Sequence, residues 1–178
     1  EPIARLHPSI KGVSGAKPTG ASLVSFNLKA FTSYGKEKGY NAPVSERVSF
    51  AYTTALNYML ASERQKIQLE PNTTVVFWSE STNSVVAEDL MFELLNPSGS
   101  SEKNASESTA VPDPETDQLI HDVLSRVRKG QPIDIDSENL DLDSRFYILG
   151  LSPNTTRLSV RFWHVDSFSA LLSRMALH

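Results

Sequence analysis

The sequence predicts an α/β or α+β domain, a mixed β-sheet of about four strands covered by helices. Three observations predict it. The run from Phe146 to Trp163, FYILGLSPNTTRLSVRFW, reads as two strands folded back on each other. Four other stretches carry apolar residues at helical spacing. The two patterns interleave along the chain as strand, helix, strand, helix, helix, strand, strand, helix. With 178 residues, the chain is long enough for a single domain over positions 1–178 with a real core.

Taken in order, residues 1–20 are rich in Pro, Gly and Lys (HPSIKGVSGAKPTG) and predict an extended, poorly ordered entry segment. Ala21 to Asn27 predicts the first strand. Residues 28–45 hold Gly35, Gly39 and Pro43 as breakers and predict a long loop with a helical turn near Lys29–Ser33; Phe31, Tyr34 and Tyr40 favour an ordered one. Ser45 or Pro43 opens a helix to about Glu63, with Val48, Ala51, Tyr52, Ala55, Met59 and Leu60 on one side. Thr53, Thr54 and Asn57 are poor mid-helix residues and predict a polar seam against another element.

Thr74 to Glu80 predicts a short apolar strand. Asn83 or Ser84 starts a helix through Leu95, with Val86, Leu90, Met91 and Leu94 as its stripe, and Asn96-Pro97 stops it. Residues 97–112 are low in complexity and predict a flexible insertion. Asp113-Pro114-Glu115 is a helix start. Leu119, Ile120, Val123, Leu124 and Val127 form its stripe, and Gly130 ends it. Arg126, Arg128 and Lys129 suit the last turn of that helix, which accounts for them without a ligand. An acidic connection, PIDIDSENLDLDS, leads to the two strands. Ser167 to His178 forms the last helix, with Phe168, Leu171, Leu172 and Met175 inward.

Charge is unevenly spread. The net charge is −4, yet residues 1–70 hold nine Lys and Arg against five Asp and Glu. Residues 71–143 hold four against fifteen, and residues 144–178 four against one. A fold that joins the two basic ends would present a cationic face to a polyanion. There is no cysteine, which excludes disulfides, thiolate metal sites and a cysteine nucleophile. No apolar run is long enough to span a membrane and no leader pattern opens the chain, so a cytoplasmic location is expected. On that ground the sequons at Asn72, Asn104 and Asn154 read as chance.

Binding residues follow from these patterns. The second arm of the hairpin puts Leu158, Val160 and Phe162 on one side and Arg157, Ser159 and Arg161 on the other. The two guanidinium groups are expected about 7 Å apart along the strand, near the step of successive phosphates. Lys29, Lys36 and Lys38 surround Tyr34 in a Gly-containing loop, where a base can stack on the tyrosine while lysines meet the backbone. Asn41 and Asn154, like Asn27, sit beside turns and are candidates to read a base edge, although bonding within the turn is their commoner use.

Enzyme signatures are thin. Ser152, His164 and Asp166 lack a nucleophile elbow. Asp134, Asp136, Asp141 and Asp143 lack the Gly and closing Glu of a calcium loop. The four histidines show no ligand spacing, and GVSGAKPTG lacks the Lys-Ser/Thr ending of a phosphate-binding loop. No metal or cofactor and no catalysis are expected. Trp78 and Trp163, on strands, are expected in the core.

Four strings in order, SLVSFNLKAFTSYGKEKGYNAPVSE, FAYTTALNYML, TTVVFWSE and FYILGLSPNTTRLSVRFW, resemble the large-subunit family of the type I-C CRISPR surveillance complex, the Dvulg-subtype CRISPR-associated protein of Cascade. The resemblance runs from about Ile3 to His178, with 97–112 its unclear part. Members of that family are roughly three times as long, and the chain starts at Glu1 without Met, so a central fragment is expected. The resemblance implies a part in antiviral defence: helping to recognise the protospacer-adjacent motif, open the duplex, hold the displaced strand and recruit the helicase-nuclease. Other Cascade subunits, target DNA and guide RNA are the implied partners, with no membrane involved, and base pairing with the guide RNA does the sequence reading. It carries over no catalytic residue. An adaptor that docks subunits without touching DNA is the alternative.

Overall fold

The computed structural model describes residues 1–69, 72–81, 84–96, 114–131 and 140–176. Among them are four α-helices and a four-stranded antiparallel sheet in the order β1-β2-β3-β4. The strands are β1 (Lys66–Leu69), β2 (Thr73–Ser79), β3 (Arg145–Asn154) and β4 (Arg157–Ser167); the helices are α1 (Glu46–Ala61), α2 (Ser84–Leu95), α3 (Pro114–Arg128) and α4 (Phe168–Ala176). The chain separates into two compact units, Glu1–Val76 with Leu149–Trp163, and Phe77–Ile148 with His164–His178. Strands β2, β3 and β4 each contribute residues to both.

In the first unit the entry segment is ordered, contrary to expectation. Ala4, His7, Ile10 and Val13 are buried, and Ile10 exchanges both backbone hydrogen bonds with Ala21 at 2.9 Å. Ala4 N donates to Val44 O and Glu46 N to Pro2 O, each at 2.9 Å. Proline and glycine kept this stretch out of regular elements without keeping it out of the core. The strand expected at Ala21–Asn27 is reduced to two isolated bridges, Ala21 to Ile10 and Ser22 to Arg157.

Helix α1 starts where Ser45 predicts. The Ser45 hydroxyl accepts from Val48 N at 3.2 Å. Ser45→Ala should therefore lower the melting midpoint by the equivalent of about 1 kcal/mol, and an unchanged thermal melt would show that the cap is idle. The buried face is turned from the expected one: Ser49, Thr53, Leu56, Met59 and Leu60 are inside, while Val48 is 45% exposed and Ala51 and Ala55 face out. Thr53 can be buried because its hydroxyl donates to Ser49 O at 2.8 Å. The polar seam exists. Asn57 accepts from Lys11 N at 2.8 Å and donates to Ser9 O at 3.1 Å, fastening α1 to the entry segment.

Strand β1 escaped the sequence reading. KIQL is short and polar, and only Ile67 is buried; its pairing with β2, from Lys66 opposite Val76 to Leu69 opposite Thr73, makes it a strand. The hairpin is tighter than expected. Ser152, Pro153 and Asn154 lie within β3, and Thr155-Thr156 alone make the turn, with Thr155 at φ 57°. On β4, Leu158 is buried, Val160 is 50% exposed and Phe162 is half-buried, so the inward side of this edge strand is covered unevenly.

The second unit is built on Phe77, Phe146 and Phe168, all fully buried. Phe146 lies 6.1 Å from Phe77 and 5.0 Å from Phe168 between ring centroids. Leu90 and Met91 of α2, Val123, Leu124 and Val127 of α3, and Leu171 and Leu172 of α4 complete this core, as their spacing predicts. Gly130, at φ 63°, ends α3 with its N–H on Val127 O at 3.0 Å. Asn83, Asp113, the insertion 97–112 and most of the acidic connection fall outside the described residues. Trp78 is half-buried and stacks on Tyr147 at 5.1 Å, whereas Trp163 is 49% exposed and is not a core residue.

Candidate nucleic-acid interface

The division into units sorts the charge. The first unit holds eleven Lys and Arg against five Asp and Glu, a net +6; the second holds six against sixteen, a net −10. Both basic ends of the sequence contribute to the first unit, and it contains every residue singled out for binding: Lys29, Tyr34, Lys36, Lys38, Asn41, Asn154, Arg157 and Arg161.

The loop over 22–42 is organised by turns. Lys29–Phe31 and Lys38–Asn41 are short 3₁₀ helices. Between them Ser33 and Lys36 form an antiparallel bridge, with Lys36 N on Ser33 O at 2.8 Å. Tyr34 and Gly35 are the two residues at its tip, at φ 51° and 72°. Gly35 takes that backbone without strain, but a tyrosine does so at a cost of about 1–2 kcal/mol. Tyr34 is nevertheless fully exposed, so no burial of its ring offsets the strain. The non-glycine residues with positive φ among the described residues are Tyr34, Lys38 and Thr155, all in this loop or at the turn of the hairpin.

The cations differ in their roles. Arg157 Nη1 donates to Ser25 O at 3.3 Å, and its guanidinium carbon sits 5.2 Å from the centre of the Phe31 ring. With Leu158 N on Ser22 O at 3.0 Å, Arg157 fastens the loop to β4. It is a strut first, half-buried, and less available to a ligand than its place on the strand implied. Arg161 is exposed and lies four positions beyond Arg157. That is about 13 Å along a strand, not the expected 7 Å, which belongs to residues two apart. The pair cannot clamp successive phosphates.

Lys29 and Lys36 are exposed and Lys38 is half-buried. Among the described residues none of Lys29, Lys36, Lys38 and Arg161 pairs with a carboxylate. Asn41 donates to Lys36 O at 2.8 Å and Lys38 O at 3.1 Å, so its amide group holds the loop. Asn154 is exposed beside Thr155.

A cleft of about 240 Å³ opens beside Lys38, lined also by Arg5, His7, Ser25 and Asn27. Arg5 and His7 carried no signal in the sequence, because both lie in a segment without periodicity. Ser152 is buried in β3, while His164 is exposed on β4. Asp141 accepts from Asp143 N and Ser144 N at 3.2 and 3.1 Å, a turn-forming use of its carboxylate. Among the described residues no group of His, Asp and Glu is arranged to hold a metal ion, and no helix is long and apolar enough to cross a membrane.

The family model for CRISPR-associated protein (Cas_Csd1) matches the chain over residues 1–178. No curated protein matches it.

Proposed function

We propose that this chain, which belongs to the CRISPR-associated Cas_Csd1 family, is a non-catalytic part of the large subunit of a type I-C interference complex and supports binding of target DNA near the protospacer-adjacent motif. The observation that carries this reading is Tyr34. A fully exposed aromatic held at φ 51°, beside lysines that pair with no carboxylate among the described residues, is a platform for an unstacked base with cations for its backbone. The net +6 of the surrounding unit supplies the longer-range attraction. In the complex, guide RNA pairing reads sequence, and the helicase-nuclease and other subunits are partners of the whole assembly.

The test is a salt titration of binding to a single-stranded oligonucleotide, followed by anisotropy between 50 and 200 mM salt. Affinity should fall steeply. Lys29→Ala/Lys36→Ala/Arg161→Ala should flatten the log–log slope by about 2, at about 0.7 per lost phosphate contact. Tyr34→Ala should weaken binding about fivefold to tenfold and leave the slope unchanged, since it removes stacking rather than charge. A flat salt response and an indifferent triple variant would transfer the chain to the adaptor reading. The acidic excess in the sequence of the second unit favours that reading, as a match for a basic subunit.

A further inference from the structure

His7 is buried, and its Nδ1 lies 2.6 Å from the Tyr52 hydroxyl, with the two rings 5.9 Å apart. Its other ring nitrogen, Nε2, has no hydrogen-bond partner among the described residues. A buried polar atom left unpaired is costly and calls for an explanation. His7 lines the cleft of about 240 Å³ beside Lys38. Leu6, Val24 and Phe26 give that cleft apolar walls, and Arg5 and Lys38 bring cations to it. Burial lowers the pKa of His7, so at neutral pH it offers a hydrogen bond rather than a charge. The space is smaller than the range of about 300–1,000 Å³ typical for drug-sized ligands and suits one planar heterocycle. A phosphate would gain little from the apolar walls or from a neutral imidazole. It fits Arg5, which is exposed, and Lys38, which is half-buried.

We infer that this cleft receives one unstacked nucleobase of a bound single strand, hydrogen-bonded to His7 Nε2, with Arg5 and Lys38 on the flanking phosphates. The inference rests on the proposed interface and deepens it: Tyr34 offers a surface for stacking, and the cleft offers an enclosure with the His7 imidazole in its lining. Drawing a base out of a strand that is already single costs least, so single-stranded DNA is the ligand class.

The experiment uses the 178-residue chain and a single-stranded oligonucleotide carrying one 2-aminopurine, with anisotropy and 2-aminopurine fluorescence read together. The expected result is a severalfold change in fluorescence on binding. His7→Phe should lose that change and weaken affinity about fivefold with the salt slope intact. Val24→Trp fills the cleft while leaving the His7 side chain in the protein and should lose the change too, which keeps the test decisive if His7→Phe fails to fold. If the oligonucleotide binds with unchanged fluorescence, or if both variants behave as the parent, the cleft is not a base site, although the interface stands. If the oligonucleotide does not bind, the interface reading fails and free mononucleotides decide the cleft. A shift of the His7 imidazole resonances with deoxynucleoside monophosphates but not with inorganic phosphate upholds it. The same shift with inorganic phosphate, or none with either, overturns it.

Discussion

Phe146→Ala should destabilise the second unit by about 3–5 kcal/mol, the usual cost of emptying a fully buried aromatic site. Phe146 is fully buried on β3 and touches the packing of both neighbours, 6.1 Å from Phe77 and 5.0 Å from Phe168. Phe77 comes from β2 and Phe168 opens α4, so removing the middle ring leaves a void that neither flank can close without moving a strand or a helix. Phe146→Leu should cost less, because it refills most of the volume. The measurement is the urea midpoint, with the slope of the transition compared to check that the unfolded state is unchanged. A loss below about 1 kcal/mol for the alanine variant would mean that the three rings are not packed as described.

Gly39→Ala should be as damaging for a different reason. A Cβ at Gly39 would stand 2.0 Å from Ala4 O and 2.8 Å from Arg5 O. Both are backbone atoms, and Gly39 N itself donates to Arg5 O at 2.9 Å, so no side-chain rotation relieves the clash. The 3₁₀ helix Lys38–Asn41 must leave the entry segment. The expected cost is at or beyond the top of the about 1–3 kcal/mol typical of overpacking. Arg5, His7 and Lys38 would no longer line one cleft. Gly35→Ala is the control. Its Cβ would meet nothing within 4 Å, and only the positive φ of 72° is strained, at about 1–2 kcal/mol. Thermal melts of the two variants should differ clearly, and equal melts would sink the close-approach argument.

Much of the fold was legible because it is local. The α3 stripe, the Gly130 stop, the Ser45 start and the hairpin from β3 to β4 are each written in a few consecutive residues whose spacing reports burial. The failures share a cause. Lys66–Leu69 has no pattern of its own and is a strand only because β2 lies beside it. The buried face of α1 could not be read from hydrophobicity, because Ser49 and Thr53 are inside while Val48 is out. The entry segment looked disordered because its hydrogen bonds go to residues 21, 44 and 57, which no local window contains.

The candidate interface divides the same way. Lysines around a glycine turn were visible in the string from Lys29 to Asn41, as was the alternation of Arg157 and Arg161. The strut role of Arg157 depends on Phe31 and Ser25, more than 120 residues earlier, as the separation of 132 positions to Ser25 makes plain.

The sequence by itself determined the helices, the hairpin, the family and the uneven distribution of charge, since each is a property of neighbouring residues. Only the tertiary structure decided that a chain of net −4 folds into a unit of +6 and a unit of −10, that Tyr34 stands fully exposed at a strained turn, and that His7 is buried against Tyr52 with one nitrogen unmatched among the described residues. Which distant segments meet is settled by the summed burial and hydrogen bonding of the whole chain, and no short stretch carries that sum.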